Sequence, residues 1–170
     1  MEKIKIKKVA LVTGGALKVE YTIREKDGTY SGVTKDCGAP AHDDLIDAFR
    51  RMDIHLAIIS EYLPADQVDD IESADLDMIR ELFRVKQVSI SGDDEGVSIA
   101  GSRKLSKGSL SLASPTIKWG DKKPYLFEGD LAEAVEQLKS ETLLYLDGKK
   151  APDAQTAIDF PDEVATEEAI

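Results

Sequence analysis

The chain has 170 residues, of which 42% are hydrophobic and 32% charged, and a formal net charge of −11. At this length folding buries about 70% of the unfolded surface, so a proper core forms and a wholly disordered chain is excluded. The one cysteine, Cys37, excludes an intrachain disulfide and any Cys-rich zinc site, and the charge argues against a protein that coats duplex DNA with its whole surface.

In chain order, Ile4 and Ile6 alternate with lysines, then the apolar phase shifts to Val9 and Leu11, which predicts a strand with a bulge. Gly14-Gly15 marks a turn. Leu17, Val19, Tyr21 and Ile23 alternate with Lys18, Glu20, Thr22 and Arg24, the pattern of a half-buried strand. Asp27-Gly28 is a strong hairpin signal, and a third strand follows from about Tyr30 to Asp36. Leu45, Phe49, Met52, Leu56, Ile59 and Leu63 then recur at helical spacing, which predicts one continuous helix opened near His42-Asp43 and ended by Pro64. An acidic loop from Asp66 leads into a short helix, about Asp75 to Phe83.

Val85, Val88 and Ile90 begin a second strand set, with turns at Asp93-Asp94-Glu95-Gly96 and Lys107-Gly108. Pro115 to Phe127 reads as a strand end and a loop. Asp130 and Glu133 fit a capping box for a last helix, with Leu131, Val135, Leu138 and Tyr145 on one face and Gly148 as its stop. The expected fold is α+β: antiparallel meanders with two long amphipathic helices in a single domain, residues 1–150. Residues 151–170 carry only acidic charge and little periodicity, and are expected to be a disordered acidic tail. Both halves, 3–63 and 84–148, run three strands and then a helix, with matching turns about 80 residues apart. Two unrelated meanders with similar spacing, or two β-β-β-α repeats sharing one core, both account for this.

The segments Cys37-Gly38-Ala39-Pro40-Ala41-His42-Asp43-Asp44-Leu45 and Glu95 to Ser106 resemble segments in small phage and prophage proteins of gut Bacteroidetes-type bacteria. The resemblance covers roughly residues 3–150 and implies a mobile-element context, near replication or recombination functions.

Charge is unevenly placed. Arg103, Lys104, Lys107, Lys118, Lys122 and Lys123 crowd one stretch, 103–123, against Asp121 alone, while 43–95 is strongly acidic. Ser89, Ser91, Ser98, Ser109 and Ser111 alternate with apolar residues and predict a flat hydroxyl face beside those cations, with Trp119, Tyr125 and Phe127 following. Cations beside aromatics suit a single strand, whose phosphates meet the charge and whose bases stack. An ordinary solvated sheet face is the plainer account of the same residues. The candidate nucleic-acid residues are Arg103, Lys104, Lys107, Lys118, Trp119, Lys122 and Lys123. In the tail, Asp162, Glu163, Glu167, Glu168 and Ile170 combine acids with an apolar end, in the style of single-strand-binding protein tails that recruit partners, or of a solubilising end.

Catalytic signals are few. Cys37 with His42, Asp43 and Asp44 is the densest reactive cluster, but a strand-end cysteine and a helix cap explain it as well. His55 is expected to be a hydrogen-bonded core histidine. No His-x-x-x-His or Cys-x-x-Cys pair occurs, the Asp66 region fails as an EF-hand, and no phosphate loop has Walker spacing. Neither a catalytic residue, a metal nor a cofactor is therefore expected. No run approaches the ~18 apolar residues of a membrane span, and the N-terminus lacks a signal peptide's apolar stretch, so a cytoplasmic protein with no membrane partner is expected. The leading functional expectation is a non-enzymatic phage accessory protein binding single-stranded nucleic acid or a replication/recombination protein, with a homo-oligomer left open. The alternatives are an acidic adaptor or inhibitor that mimics DNA charge, and a small Cys/His hydrolase.

Overall fold

The computed structural model describes residues 4–68 and 76–152. Helix and strand occupy similar shares, 33% and 36%, as an α+β fold requires. The strands are β1 (Ile4–Leu11), β2 (Leu17–Arg24), β3 (Tyr30–Cys37), β4 (Phe83–Ser91), β5 (Gly96–Lys104), β6 (Ser109–Ala113) and β7 (Ile117–Lys118). The helices are α1 (Asp43–Arg50), α2 (Asp53–Ile59), α3 (Leu76–Leu82) and α4 (Glu128–Leu146). One antiparallel sheet runs β3-β2-β1-β4-β5-β6, with β7 continuing along the β5 edge beyond β6. Each meander starts at the centre of the sheet and works outward.

The phase shift along β1 is a bulge between Ile6 and Lys8. It lets Ile6 and Val9, three residues apart, both reach the core, where they are 4% and 1% exposed. Gly14 and Gly15, both at positive φ, close the β1–β2 turn in a conformation that strains any side chain. All the helices cover one face of the sheet. Val9, Val19, Val88 and Ile99 from the strands meet Phe49, Leu56, Leu131 and Tyr145 from the helices in one core. Among the described residues the other face carries no helix.

Three expected boundaries change. The stripe from Leu45 to Leu63 is two helices, broken at Arg51-Met52, with the chain turning away at Glu61, whose φ is 66°. The break lies between Arg50 and Asp53, whose side chains both bond to β4. Phe83 belongs to β4, fully buried under Tyr62 at 5.1 Å between ring centroids, and does not end a helix. The capping box on Asp130 and Glu133 does not form, because α4 starts at Glu128 with Phe127 in the cap position and no side-chain cap. Both carboxylates instead receive Arg51, at 3.2 and 3.1 Å.

The two meanders share more than strand order. In the first, Ile4 pairs with Ile23, Ile6 with Tyr21, Lys8 with Glu20, Val9 with Val19 and Leu11 with Leu17. In the second, Phe83 pairs with Arg103, Val85 with Gly101, Gln87 with Ala100, Val88 with Ile99 and Ile90 with Val97. The β4 bulge, between Val85 and Gln87, falls where β1 has its own. The β1–β4 ladder pairs Lys8 with Ser89, Val9 with Val88 and Ala10 with Gln87. Exchanging the halves maps this ladder onto itself, with the Val9–Val88 pair on the pseudo-two-fold. The outer strands differ: β3 is continuous, whereas Pro115 splits its counterpart into β6 and β7, and Ser114 Oγ accepts the Ile99 N–H in the gap.

Gly101 stands where the first meander has Tyr21, and a Cβ there would lie 1.9 Å from the Arg84 carbonyl oxygen and 2.9 Å from Val85 Cα. These atoms are all β4 backbone, so there is no flexible side chain to yield. Gly101→Ala is therefore expected to cost roughly 3 kcal/mol, at the upper end for overpacking, read from urea unfolding. An unchanged midpoint would show that the β4 bulge can shift at little cost.

Candidate nucleic-acid interface

Side chains alternate across a strand, so the register assigns every residue to a face. With Ile6, Val9, Val19, Val88 and Ile99 in the core, the uncovered face takes Lys5, Lys8 and Ala10 from β1, and Lys18, Glu20, Thr22 and Arg24 from β2. It takes Arg84, Gln87, Ser89 and Ser91 from β4, and Ser98, Ala100, Ser102 and Lys104 from β5. Ser109, Ser111 and Ala113 of β6 extend it, and Tyr30, Gly32, Thr34 and Asp36 of β3 close the far side. The middle is flat and made of small side chains, with cations around it. Tyr30 is its aromatic, 45% exposed, and the Lys5 ammonium lies 4.8 Å from the ring centroid. The exposed acids Asp43, Asp44, Asp47, Asp77, Glu81, Glu133 and Glu136 all belong to the helical layer. The open face thus carries more cations than acids, although Glu20, 3.6 Å from Lys8, and Asp36 share it, while the helical layer holds the seven acids just named.

This division redistributes the basic residues expected to act together. Arg103 has the parity of Val97 and Ile99, so it points to the helical side, where its guanidinium lies 4.5 Å from the Tyr62 ring centroid. Lys104 is on the open face, and exposed Lys107 sits in the turn beyond it. Lys118 pairs with Gly96, on the same face but at the opposite end of β5, roughly 26 Å away at about 3.3 Å per residue. Trp119 packs half-buried against the core, and exposed Lys122 and Lys123 follow it in the loop. The stretch 103–123 therefore forms two basic ends, not one zone. Lys5, Lys8, Lys18, Arg24 and Arg84 were missed because they are scattered in sequence and meet only across strands. The alternation of Lys18 and Arg24 with Leu17 and Ile23 was the available signal. Asp162, Glu163, Glu167, Glu168 and Ile170 lie outside the described residues, as does the middle of the acidic stretch after Asp66.

At the sheet centre the β1 ladder stops at Ala10–Gln87, and two side chains take its place on β4. Asp53 Oδ1 accepts the Val85 N–H at 2.8 Å, and Arg50 Nη2 donates to the Val85 carbonyl at 2.6 Å. Asp53 is fully buried, with Arg50 and Arg84 each 3.5 Å from Oδ2. Burial raises its carboxyl to about 6, against the opposing pull of the Val85 N–H and the arginines. Beside it a cavity of about 520 Å³ is lined by Leu11, Val12, Thr13, Arg50, Arg84 and Lys86.

On the helical side, fully buried His55 has both ring nitrogens bonded at 2.8 Å, Nε2 to Asp130 Oδ2 and Nδ1 to the Tyr125 hydroxyl. Burial lowers its pKa, and burial raises that of the Tyr125 phenol. The neutral ring donates to Asp130 and accepts from Tyr125. Tyr125 also lines a cleft of about 530 Å³ with Ile58, Ile59, Pro115 and Ile117, and with Lys118 and Lys123 at its rim. His42 Nδ1 accepts the Asp44 N–H as the α1 cap, and half-buried Cys37 ends β3 opposite Leu17. Among the described residues no group of three His, Cys, Asp or Glu side chains is placed to hold a metal ion, and no helix is long and apolar enough to cross a membrane. The chain matches no family model, no curated protein and no solved structure.

Asp53 makes stability depend on pH. Its folded pKa lies above the ordinary 3.8, so its contribution is complete below 3.8 and is lost as pH rises through about 6. Asp53→Asn keeps an acceptor for Val85 and removes the titration. Between about pH 4 and pH 7 the wild type is expected to lose about 3 kcal/mol more than this variant. Urea midpoints across that range test it, and parallel curves for the two proteins would refute it.

Proposed function

We propose that this chain is a non-enzymatic nucleic-acid-binding accessory protein, and that it holds a single strand against the open face of its sheet. The observation that carries this reading is the division of charge by layer in a chain whose net charge is −11. Phosphates are drawn to Lys8, Lys18, Arg24 and Lys104, and the acidic helical layer sets the orientation by repelling them. Small central side chains, Ala10, Ser89, Ser98 and Ala100, let a backbone approach closely. Exposed Tyr30 offers a face on which a base can stack, which favours a single strand over a duplex. The phage or prophage context implied by the sequence resemblance suits such a role.

Fluorescence anisotropy with a labelled single-stranded oligonucleotide tests this. Four phosphate contacts predict a salt dependence of roughly −3 in log affinity per decade. Lys8→Glu with Lys18→Glu is expected to abolish binding, and Lys118→Glu with Lys122→Glu to leave most of it. Both pairs are on exposed or half-exposed positions, so the fold is expected to survive. The opposite ranking would move the interface to the Tyr125 cleft. A wild type that fails to bind at ~20 mM salt would end the nucleic-acid reading in favour of an adaptor using the acidic helical layer.

A further inference from the structure

The two ends of the short β1–β4 ladder are equivalent under exchange of the halves, yet their charges are answered differently. At one end Lys5, Lys7 and Lys139 line a cavity of about 290 Å³. The β4–β5 turn answers the first two, Asp93 accepting from Lys5 at 2.9 Å and the Gly92 carbonyl from Lys7 at 2.7 Å, while Lys139 donates to Glu136 at 3.0 Å and lies 3.4 Å from Asp94 of the turn. At the other end the register puts Arg84 where Lys5 stands and Lys86 where Lys7 stands. Arg50 of α1 joins them around the larger cavity.

The turn at this end is Thr13-Gly14-Gly15 and has no carboxylate. Lys86 has no ion pair among the described residues, and Arg50 Nε is buried without a hydrogen-bond partner. Asp53 Oδ2, the acid behind the cavity, also lacks a hydrogen bond, its arginines standing at 3.5 Å. Arg50, Arg80 and Arg84 all act on that single carboxylate. Among the described residues the cations of the first cavity are answered in place, and those of the second outnumber their one carboxylate, Asp53.

We propose that the cavity between the end of β1 and the start of β4 is an anion seat that takes a phosphate group, held by Arg84 and Lys86 with the Thr13 hydroxyl, over Arg50. A guanidinium meets two phosphate oxygens at once, and the lysine adds a point charge. The phosphate could belong to a bound strand or be free, and only its source rests on the nucleic-acid reading above. Arg84 is also on the open face, so a strand lying there would pass over the seat.

The probe is inorganic pyrophosphate, titrated calorimetrically into the full chain at low salt. The wild type and the Lys8→Glu, Lys18→Glu protein are each expected to bind one equivalent. Arg84→Gln with Lys86→Gln is expected to lose it, and Lys86→Gln alone, an exposed position, to weaken it about fivefold or more while the fold stays intact by circular dichroism. Asp93→Asn with Asp94→Asn is expected to open the twin cavity and raise the stoichiometry to two. No binding by the wild type at ~10 mM pyrophosphate, undiminished binding by the Arg84→Gln, Lys86→Gln protein, or a stoichiometry that stays at one in the Asp93→Asn, Asp94→Asn protein would each overturn the proposal. Oligonucleotide binding by Lys86→Gln separates the sources: weakened, the phosphate is a strand's; intact, it is free. A wild type that binds oligonucleotide but not pyrophosphate fails the seat and leaves the sheet-face reading standing.

Discussion

The two meanders meet through a ladder of three residue pairs, Lys8–Ser89, Val9–Val88 and Ala10–Gln87, and the rest of the molecule is arranged around that short seam. A bulge on each inner strand twists the sheet at both sides of it. Backbone groups beyond the seam still need partners, because an unpaired buried N–H or C=O is costly. At Val85 the partners are the side chains of Arg50 and Asp53. Burying Asp53 is tolerable because it satisfies a strand and stands between guanidinium groups. It remains a carboxylate that burial resists ionising.

The helical layer carries a second polar system with a different purpose. Arg51, Asp130, His55 and Tyr125 form a chain of hydrogen bonds between the α1–α2 junction, the start of α4 and the loop before it. Every ring nitrogen of the buried histidine is satisfied, so the network can fix how α4 sits against α2. Asp130 is drawn from a cap into the core by the histidine, and Glu133 follows it toward Arg51. The conflict between local capping and tertiary pairing is decided by burial: His55 would otherwise lose a hydrogen bond inside the core, whereas water can reach the end of α4.

Function, in this reading, comes from an asymmetry between layers and another between halves. Strands deliver alternate residues to opposite faces, so the lysines of β1 and β2 gather on the open face while the acids of the helices stay on the other. The two meanders, alike in register, then act as an internal comparison. The same cation positions recur at both ends of the central seam, and a diacid turn answers them at one end only.

The sequence by itself determined the α+β class, the strands, the bulge in β1, the turns and a hydrogen-bonded core histidine. These follow from local spacing and from turn chemistry, which act within a few residues. It also showed two similarly spaced halves, but identical residues were few, because β-sheet equivalence resides in register and facing and not in residue identity. Only the tertiary structure decided that the long apolar stripe breaks at Arg51-Met52, since a helix read from its own periodicity carries no sign of the strand groups waiting at Val85. Only it decided which cations act together. Arg103 and Lys104 are neighbours in sequence and point to opposite faces, while Lys8 and Lys104, far apart in the chain, reach the same one. Proximity across a sheet is set by pairing register, and a list of charges along the chain does not contain it.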